Sequence, residues 1–311
     1  SADPMVSVEA LEKEAMGRIA DLARNTPRNA LRSQAEVVYS LMERIETLGA
    51  GGAHRSIVHF GLPSVDAALG GARAGELIII GGRPAMGKTA FAETWVNNVA
   101  KVCRDTGDGV VLFFSEEMPS EELLNRRIAG DARVDSRGAS AGAFSGDAFE
   151  RYMRAANDVS GLPILWHDAQ RVSMLDIAMI ARRAQHQYGR VALVVVDYLQ
   201  LLAPMKPDAK DTNRDKDIGL ATREGKYLAR ELMCPVVLLS QLNRGLETRS
   251  DKRPVMSDLR ESGNIEQDAD MILFCYRDCV YNKEADPRAA EVIVGKMRAA
   301  ATATIKLVFD G

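Results

Sequence analysis

The apolar positions of this chain follow two different periods, and the change between them divides the sequence. In residues 8–23 and about 34–48, apolar residues recur every three or four positions, which is the spacing of an amphipathic helix. From about residue 76 onward, short apolar runs alternate with helix-patterned stretches. The runs are ELIIIGG, GVVLFFSEE, LPILWHD, VALVVVDY, PVVLLSQ, DMILFC, EVIVGK and ATIKLVFDG.

This alternation predicts an α/β fold. Strands that are apolar on both faces and joined by helices form a parallel sheet covered on both sides. The last runs lack intervening helices, so we expect antiparallel strands at the C-terminal end. The polar stretch 204–217 is expected to be a mobile surface loop. Helical patterns separate the first five runs, at about residues 87–101, 119–130, 146–159, 173–188 and 218–233.

Composition narrows the class of protein without deciding its function. With 311 residues, 46% of them apolar and 27% charged, the chain resembles an ordinary globular protein. A net charge of −3 neither requires nor excludes nucleic-acid binding, because a local basic stripe would suffice. Four scattered cysteines without a zinc-ligand pattern indicate free thiols in a reducing cytoplasm. No membrane span or signal peptide is expected.

The clearest chemical signal is GRPAMGKT, which matches G-x-x-x-x-G-K-[ST] between a predicted strand and a predicted helix. Its glycines let backbone N–H groups face a phosphate, and the helix N-terminus adds a positive dipole. Lys88 is expected to reach the β- and γ-phosphates, and the Thr89 hydroxyl to bind Mg²⁺. The predicted nucleotide site comprises Gly82, Arg83, Pro84, Ala85, Met86, Gly87, Lys88, Thr89 and Ala90.

Polar side chains end three further apolar runs. Asp197 ends VALVVVD and is expected to support the magnesium ion. Glu116 and Glu117 end VVLFFSEE, and one of these carboxylates is a candidate general base for the attacking water. Gln241 ends VVLLSQ and is a candidate sensor of the γ-phosphate. Together with the phosphate loop, these residues predict ATP hydrolysis.

The same stretches carry a resemblance to a known family. GGRPAMGKTAFA, FFSEEMPSEELLNR, VVVDYLQLL, PVVLLSQLNRGLETRSDKRPVMSDLRESGNIEQDAD and KLVFDG occur in this order over roughly residues 55–310. In these motifs the chain resembles the ATPase domain of the DnaB family of replicative ring helicases, a branch of the RecA-like proteins. The resemblance implies a RecA-like P-loop NTPase domain, preceded by a linker helix.

The resemblance also implies roles for individual residues. Glu117 matches the family's catalytic glutamate, while Glu116 falls at a neighbouring position that is usually apolar. Gln241 would couple the γ-phosphate to DNA-binding loops. The DLRESG motif would supply Arg260, Glu261 and Gly263 to the backbone of single-stranded DNA. Contacts to phosphates rather than bases suit a translocase that must ignore sequence.

GKMRAAATAT resembles the family's K-x-R element, in which two basic residues reach the ATP site of the next subunit. Lys296 and Arg298 would be these trans-acting fingers. The family commonly has a polar residue between the two bases and an Asn-Gly-Pro turn after them. This chain has Met297 there, followed by alanines at 299–301, so its turn chemistry differs.

The N-terminal part is interpreted as a linker helix over residues 1–30, with the ATPase domain over 31–311. Residues 1–4 have the character of a tag remnant. In the family, the linker helix docks on a neighbouring subunit, so residues 8–23 are expected to support a hexameric ring. Full-length members also carry an N-terminal collar that binds primase. We expect that this collar was trimmed, or that the natural protein starts at Met5.

The sequence thus predicts a cytoplasmic, ATP- and Mg²⁺-dependent helicase motor of bacterial, phage or plasmid origin. It would move on single-stranded DNA as a hexameric ring, with a helicase loader and primase as further partners. The alternative is a RecA-like DNA-dependent ATPase, or an assembly platform, without unwinding activity.

Overall fold

The computed structural model describes residues 33–49, 56–168, 172–202, 214–259, 262–298 and 302–310. Several predicted features lie outside the described residues: the helix over 8–23, the first ten residues of the loop over 204–217, and the DNA-binding candidates Arg260 and Glu261. The chain divides into two compact units between residues 54 and 55.

The described part of the first unit is the helix α1 (Gln34–Gly49), in agreement with the helix predicted at about 34–48. Ser33 caps it: the Glu36 amide donates to the Ser33 hydroxyl at 3.3 Å, and the Ser33 amide donates to the Glu36 carboxylate at 2.6 Å. This reciprocal pair satisfies two backbone donors that a helix N-terminus otherwise leaves unbonded.

The second unit alternates strands and helices as predicted, and no helix in the described residues is long and apolar enough to cross a membrane. Its elements are β1 (Ile57–Val58), α2 (Pro63–Leu69), β2 (Ala72–Arg73), β3 (Leu77–Gly82), α3 (Lys88–Thr106), β4 (Val110–Ser115), α4 (Ser120–Ala132), α5 (Ser136–Ser140), α6 (Ala148–Ser160), β5 (Ile164–His167), α7 (Met174–Tyr188), β6 (Val191–Asp197), α8 (Arg214–Leu232), β7 (Val236–Gln241), α9 (Ser262–Asp268), β8 (Met271–Tyr276), β9 (Ala289–Met297) and β10 (Thr304–Val308).

Within the described residues, the larger sheet has eight strands in the order β10-β9-β8-β3-β7-β6-β4-β5. The strands from β8 to β5 in this order are parallel, β9 is antiparallel to β8, and β10 is antiparallel to β9. The predicted parallel sheet with antiparallel strands at its C-terminal end is therefore confirmed. The short strands β1 and β2 form a separate pair that the apolar runs did not predict.

The core lies on both faces of this sheet, because successive side chains of a strand point to opposite sides. Ile78 and Ile80 of β3 pack in a cluster with Trp95 of α3. Leu77 and Ile79 belong to a second cluster, which contains side chains of α7 and α8. All of β3 is buried, so the strand presents only its carboxyl end, Gly82, to the loop that follows.

The helix α8 begins earlier than its sequence pattern indicated. Residues 214–217, which we predicted as the end of a polar loop, are helical. Residues 214–217 are all polar, so the apolar period that marks the helix starts only at Ile218. The predicted loop therefore ends before Arg214.

Gly225 in the middle of α8 is explained by close packing. A Cβ atom there would lie 3.3 Å from Leu77 Cδ1 and 3.4 Å from Leu238 Cδ1, so the helix approaches the sheet closely at this glycine. Gly130 also lies inside a helix, α4, but it has open space around it, because a Cβ there would meet nothing within 4 Å.

These two glycines give a stability prediction. We expect Gly225→Val to lower the free energy of unfolding by about 1–3 kcal/mol through overpacking. Gly130→Ala should raise it by up to about 1 kcal/mol through helix propensity. Thermal or urea denaturation followed by circular dichroism measures both. An unchanged or stabilised Gly225→Val variant would contradict the close approach of α8 to the sheet.

Candidate nucleotide-binding site

The strand order brings the predicted site residues to one edge of the sheet. β3, β7, β6 and β4 are neighbours, and their carboxyl ends lie side by side. Gly82 pairs with Gln241, and Ser115 pairs with Asp197. The phosphate loop and the polar ends of three other strands therefore meet at this edge, as the sequence predicted. This is the crevice where open α/β sheets bind their ligands.

The phosphate loop needs unusual backbone angles. Gly87 has φ +84° and Ala85 has φ +66°, both in the left-handed region that L side chains rarely adopt. A Cβ on Gly87 would lie 3.0 Å from the Phe309 ring, so glycine is required there for space as well. The helix α3 starts directly after Gly87 and points its N-terminal N–H groups toward this loop.

Lys88, Thr89 and Asp197 form a compact cluster behind the loop. The Thr89 hydroxyl donates a hydrogen bond of 2.7 Å to Asp197 Oδ2, and Lys88 Nζ lies 3.7 Å from Asp197 Oδ1. The Asp197 and Lys88 side chains are only 4% and 11% exposed. The lysine ammonium also stands 4.7 Å from the centre of the Tyr198 ring. The predicted roles of these three residues require such proximity.

The donors of this cluster fit a magnesium ion held with a nucleotide. The buried Asp197 Oδ1 accepts no hydrogen bond within the described residues, and it lies beside the Thr89 hydroxyl that the aspartate already holds. In the same part of the chain, no group of three or more His, Cys, Asp or Glu side chains could cage a metal by itself. Magnesium typically uses one or two protein ligands, water and phosphate oxygens, which matches this donor set.

The two carboxylates after β4 differ in environment. Glu116 is buried, and its backbone N–H donates a 2.7 Å hydrogen bond to the carbonyl of Asp197. Glu117 is exposed at the same edge of the sheet. Only Glu117 is therefore open to water and an incoming substrate, as a general base must be.

The predicted ligand Arg83 has another set of contacts. Its side chain is 9% exposed, with Nε 2.8 Å from Glu247 Oε1 and Nη1 donating to the Leu242 carbonyl at 3.0 Å. These bonds tie the phosphate loop to the segment after β7. The guanidinium thus positions the loop rather than extending into its open side. The remaining loop residues, Pro84 and Ala85, are exposed, and Met86 is buried.

Gln200 is a site residue that sequence reasoning missed. Its amide Nε2 donates to the Ser240 hydroxyl at 2.8 Å and to the Gln241 carbonyl at 3.3 Å, and its Oε1 accepts from the Gln241 amide at 3.1 Å. These bonds fix the end of β7 to the short helical turn Leu199–Leu201 after β6. Nothing in the run VVVDYLQLL signals this contact, because it joins residues about forty positions apart.

Glu93 is a second residue near the site that sequence reasoning missed. It lies one turn after Thr89 on α3, and burial, followed by repulsion from Asp197, raises its pKa to about 7. Arg127 and Arg126 act in the opposite direction and lower this pKa. Glu93 and both arginines line a cavity of about 1070 Å³ that opens beside Thr89 and Ala90.

The raised pKa of Glu93 predicts a pH effect on stability. A carboxyl whose folded-state pKa lies above its unfolded value stabilises the fold below about pH 4.5, and this contribution is lost as the pH rises through about 7. Glu93→Gln removes the effect. Without nucleotide, the variant should therefore melt higher, relative to the unmodified chain, at pH 8 than at pH 5. An equal difference in melting temperature at both pH values would contradict the buried setting of Glu93.

The basic residues of the predicted trans-acting element lie at the other end of the sheet. Met297 at the end of β9 pairs with Met271 at the start of β8, so Lys296 and Arg298 lie near the amino ends of the parallel strands. The length of β3, about 20 Å for six residues, separates this edge from the phosphate loop. The structure therefore does not bring these two residues into the chain's own nucleotide site.

Lys296 and Arg298 also differ from each other. Lys296 Nζ donates to the carbonyls of Glu266 and, at 2.8 Å, Ala269, at the C-terminal end of α9. Burial, followed by the nearby Arg298, lowers the pKa of Lys296. Arg298 is 55% exposed and places Nε 3.3 Å from Asp270 Oδ1. Of the two, Arg298 is the side chain with an outward-facing charge.

Of the three DNA-binding candidates, only Gly263 lies within the described residues. Gly263 lies in the first turn of α9 and is exposed. Leu259, directly before the undescribed Arg260, forms an antiparallel bridge with Leu242, and the Asn243 amide donates to the Asp258 carbonyl at 2.8 Å. The segment that leads to the DNA-binding candidates is thus bonded to the segment that follows Gln241.

The family model for the DnaB-like helicase C-terminal domain matches residues 58–311. The chain belongs to this family. It is 39% identical over 295 residues to the replicative DNA helicase DnaB of Haemophilus influenzae, covering 93% of this chain and 61% of that protein. With the replicative DNA helicase DnaC of Bacillus subtilis, the identity is 34% over 303 residues, covering 97% of this chain and 65% of that protein. The chain thus spans about three fifths of the length of these relatives.

Solved structures of this family share the fold. One of them, described as an ATPase domain, superimposes with a TM-score of 0.80 at 34% identity, covering 90% of this chain and 96% of that chain. A DnaB-like replicative helicase, described with its interactions with primase, gives a TM-score of 0.80 at 33% identity, covering 96% of this chain and 69% of that chain. The prediction of a RecA-like ATPase fold of the DnaB family is confirmed.

Proposed function

We propose that this chain is the motor domain of an ATP-driven DNA helicase. The observation that carries the proposal is the cluster of Lys88, Thr89 and Asp197 behind a complete phosphate loop, in a chain of the DnaB-like helicase family. A largely covered lysine and a hydroxyl held by an aspartate, both at a helix N-terminus, are the parts that nucleotide hydrolysis requires.

ATP would lie across the edge of the sheet. Its phosphates would contact the loop backbone and Lys88, whose three donors compensate negative charge at the β- and γ-phosphates. The cavity of about 1070 Å³ beside Thr89 and Ala90 is large enough for the base and sugar, since ligand pockets span about 300–1,000 Å³. Arg126 and Arg127 line this cavity.

A magnesium ion, held by Thr89 and supported by Asp197, would neutralise charge between the phosphates. Glu117 would orient the attacking water and accept its proton. Gln241, which pairs directly with Gly82 in the sheet, would respond to the γ-phosphate. These roles agree with the exposure of Glu117 and with the position of Gln241 beside the phosphate loop.

The role of Glu117 gives a sharp kinetic prediction. Glu117→Gln should lower kcat for ATP hydrolysis by about 10²- to 10⁴-fold and leave ATP binding nearly unchanged. The substitution removes the group that accepts the proton of the water, but it keeps the positively charged groups that contact the phosphates. Steady-state hydrolysis and equilibrium titration with a fluorescent ATP analogue separate the two. Glu116→Gln is the comparison variant and should retain more activity. If Glu116→Gln lowered kcat more than Glu117→Gln, the general base would be Glu116.

ATP hydrolysis would be coupled to DNA movement through the backbone that follows Gln241. Gln241 directly precedes Leu242, which bridges to Leu259, and Leu259 directly precedes Arg260. A shift of Gln241 on loss of the γ-phosphate would therefore move the backbone next to the proposed DNA contacts Arg260, Glu261 and Gly263. Contacts to the DNA backbone would let the motor move on any sequence.

The oligomer would be a hexameric ring with ATP between neighbouring copies. Arg298 supports this arrangement, because its exposed guanidinium lies at the edge of the sheet opposite the chain's own phosphate loop. It would act on the nucleotide of the next copy, with Lys296 beside it. The segment 8–23 is proposed as the linker helix that docks on a neighbour.

Single-stranded DNA is the proposed nucleic-acid partner, and a helicase loader and primase are proposed protein partners. The structural relative described with its interactions with primase supports the last of these. The relatives from Haemophilus influenzae and Bacillus subtilis support a bacterial type of replication in the cytoplasm.

The test is unwinding of a forked DNA duplex by the full chain with ATP and Mg²⁺, alongside ATPase rates across a protein concentration series with and without oligo-dT. We expect strand separation and a rate per subunit that rises with protein concentration and with DNA. DNA-stimulated hydrolysis without strand separation would favour the alternative of a RecA-like ATPase. An ATPase rate per subunit that changes neither with protein concentration nor with DNA would contradict the proposed motor function.

A further inference from the structure

Side chains make a second connection between the phosphate loop and the backbone before Arg260. The connection passes through residues 242–259, which we call the connecting segment. Its helical parts are two short turns, Arg244–Thr248 and Met256–Asp258. An irregular segment of this kind has few backbone bonds to the sheet, so its position depends strongly on side-chain bonds.

The first ion pair joins the phosphate loop to the connecting segment. Arg83 Nη2 and Nε lie 2.7 Å and 2.8 Å from Glu247 Oε1, and Nη1 donates to the Leu242 carbonyl at 3.0 Å. The Arg83 side chain is 9% exposed, so Glu247 rather than water compensates most of its charge. Because Arg83 directly follows Gly82 in the loop, a displacement of the loop backbone acts on Glu247.

The second ion pair joins the connecting segment to the backbone before Arg260. Arg249 donates from Nη1 to Asp258 Oδ1 at 3.1 Å and from Nη2 to Asp258 Oδ2 at 2.7 Å. Asp258 is buried and also accepts from the Val255 amide at 2.8 Å. Two parallel bonds between a guanidinium and a carboxylate fix direction as well as distance. The position of Arg249 therefore sets the position of Asp258, two residues before Arg260.

The two ion pairs are joined by one short, well-bonded turn. Glu247 lies in the turn Arg244–Thr248, and Arg249 directly follows it. Leu246 anchors the turn, because its side chain is buried and its carbonyl accepts from the Arg249 amide at 3.3 Å. The Asn243 side chain caps the start of the turn. Glu247 and Arg249 therefore move together, and the two ion pairs act in series.

We propose that Glu247 and Arg249 are positioning residues, which transmit the occupancy of the phosphate loop to the DNA-binding segment independently of the γ-phosphate contact of Gln241. A nucleotide in the phosphate loop fixes Arg83, and the two ion pairs then fix the backbone before Arg260. The DNA end of this link rests on the proposed function. The ordering of the connecting segment by nucleotide needs no DNA.

The first experiment tests the link without DNA, by hydrogen exchange and mass spectrometry on the full chain. The magnesium complex of AMP-PNP, an ATP analogue that is not hydrolysed, should slow exchange in peptides covering residues 80–90 and 243–259. We expect at least about fivefold slowing over 243–259, the low end of typical coupling between sites. Glu247→Ala and Arg249→Lys should each keep the effect at 80–90 and weaken it at 243–259.

Three further variants separate a positioning role from a general loss of structure. Arg249→Lys keeps the charge but not the paired bonds to Asp258. The double variant of Glu247→Ala and Arg249→Lys should lose no more protection than the stronger single variant, since the pairs act in series. Glu247→Gln keeps an acceptor for Arg83 and should give an intermediate effect, which also serves if Glu247→Ala does not fold. Glu231→Ala is the matched control, because it breaks two bonds of 2.9 Å to Arg182 between α8 and α7 and should change neither peptide.

The outcomes distinguish the link from the proposed function. Slowing at 80–90 without slowing at 243–259 in the unmodified chain would overturn the link. Full slowing at 243–259 in both single variants, or losses that add in the double variant, would also overturn it. No slowing at 80–90 would contradict nucleotide binding, and the proposed function and the link would both fall.

The second experiment measures the DNA end of the link. Fluorescence anisotropy gives the Kd of a labelled oligo-dT strand with and without AMP-PNP and magnesium. The ratio of the two Kd values should be about 5 to 150 in the unmodified chain and closer to one in Glu247→Ala. A ratio that Glu247→Ala leaves unchanged would overturn transmission to DNA. An unmodified chain that binds no DNA would contradict the proposed function, while hydrogen exchange would still decide the ion-pair link.

Discussion

Lys88→Ala is expected to lower ATP hydrolysis by about 10²- to 10³-fold or more, since removal of a single preorganised charge donor has effects of this size. The Lys88 side chain is only 11% exposed, and its ammonium stands 3.7 Å from Asp197, at the start of the helix that faces the phosphate loop. It is the one charged group of the phosphate loop that points into the site, because Arg83 is turned toward Glu247. Steady-state ATPase assays and equilibrium ATP titration measure the loss.

Lys101→Ala is the matched control for this prediction. Lys101 lies on the same helix, α3, but is exposed, so its removal should leave hydrolysis unchanged. Thermal denaturation checks that Lys88→Ala still folds; Thr89 continues to donate to Asp197 in this variant. If the Lys88→Ala chain folded and hydrolysed ATP at a near-normal rate, the phosphate loop would have no role in hydrolysis.

The second large effect is expected for Arg298→Ala, which should lower the ATPase rate of the assembled protein by about 10³- to 10⁵-fold, the range for loss of an arginine finger. ATP affinity measured at low protein concentration should remain, because Arg298 lies at the other edge of the sheet from the phosphate loop of its own chain. The measurement is the ATPase rate across a concentration series, together with ATP titration of the dilute chain.

Lys306→Ala is the control for Arg298→Ala, because it removes a positive charge from the neighbouring strand β10 at an exposed position. Asp270 keeps Lys226 as a partner when Arg298 is lost, so the fold should tolerate the change. Hydrolysis by Arg298→Ala at the rate of the unmodified chain would show that no finger acts between copies at this position.

Much of the fold was predictable because its signal is local. A strand buried on both faces appears as a continuous apolar run, so β3, β4, β6 and β7 were found from the sequence. The phosphate loop was found for the same reason, since its glycines, lysine and threonine are contiguous. The convergence of Asp197 and Gln241 followed from the rule that ligands bind at the carboxyl ends of parallel strands.

The rest depends on contacts between distant residues. Gln200 contacts Ser240, and Arg83 contacts Glu247, at separations that no local pattern records. The raised pKa of Glu93 arises from burial and from Asp197, which is more than one hundred positions away. The cavity between α8, α9 and the end of β9 likewise combines side chains from three segments that are distant in sequence. Each needs the three-dimensional arrangement before its chemistry becomes apparent.

The antiparallel bridge between Leu242 and Leu259 has a consequence for how this protein can evolve. The link between the end of β7 and the segment before Arg260 is made by backbone groups, including the bond from the Asn243 amide to the Asp258 carbonyl. Backbone groups are the same in nearly every amino acid, so most side-chain changes along this route leave its connectivity intact. Proline is the exception, because it has no N–H to donate. Sequences can therefore diverge widely here, provided that proline is kept out of position 243.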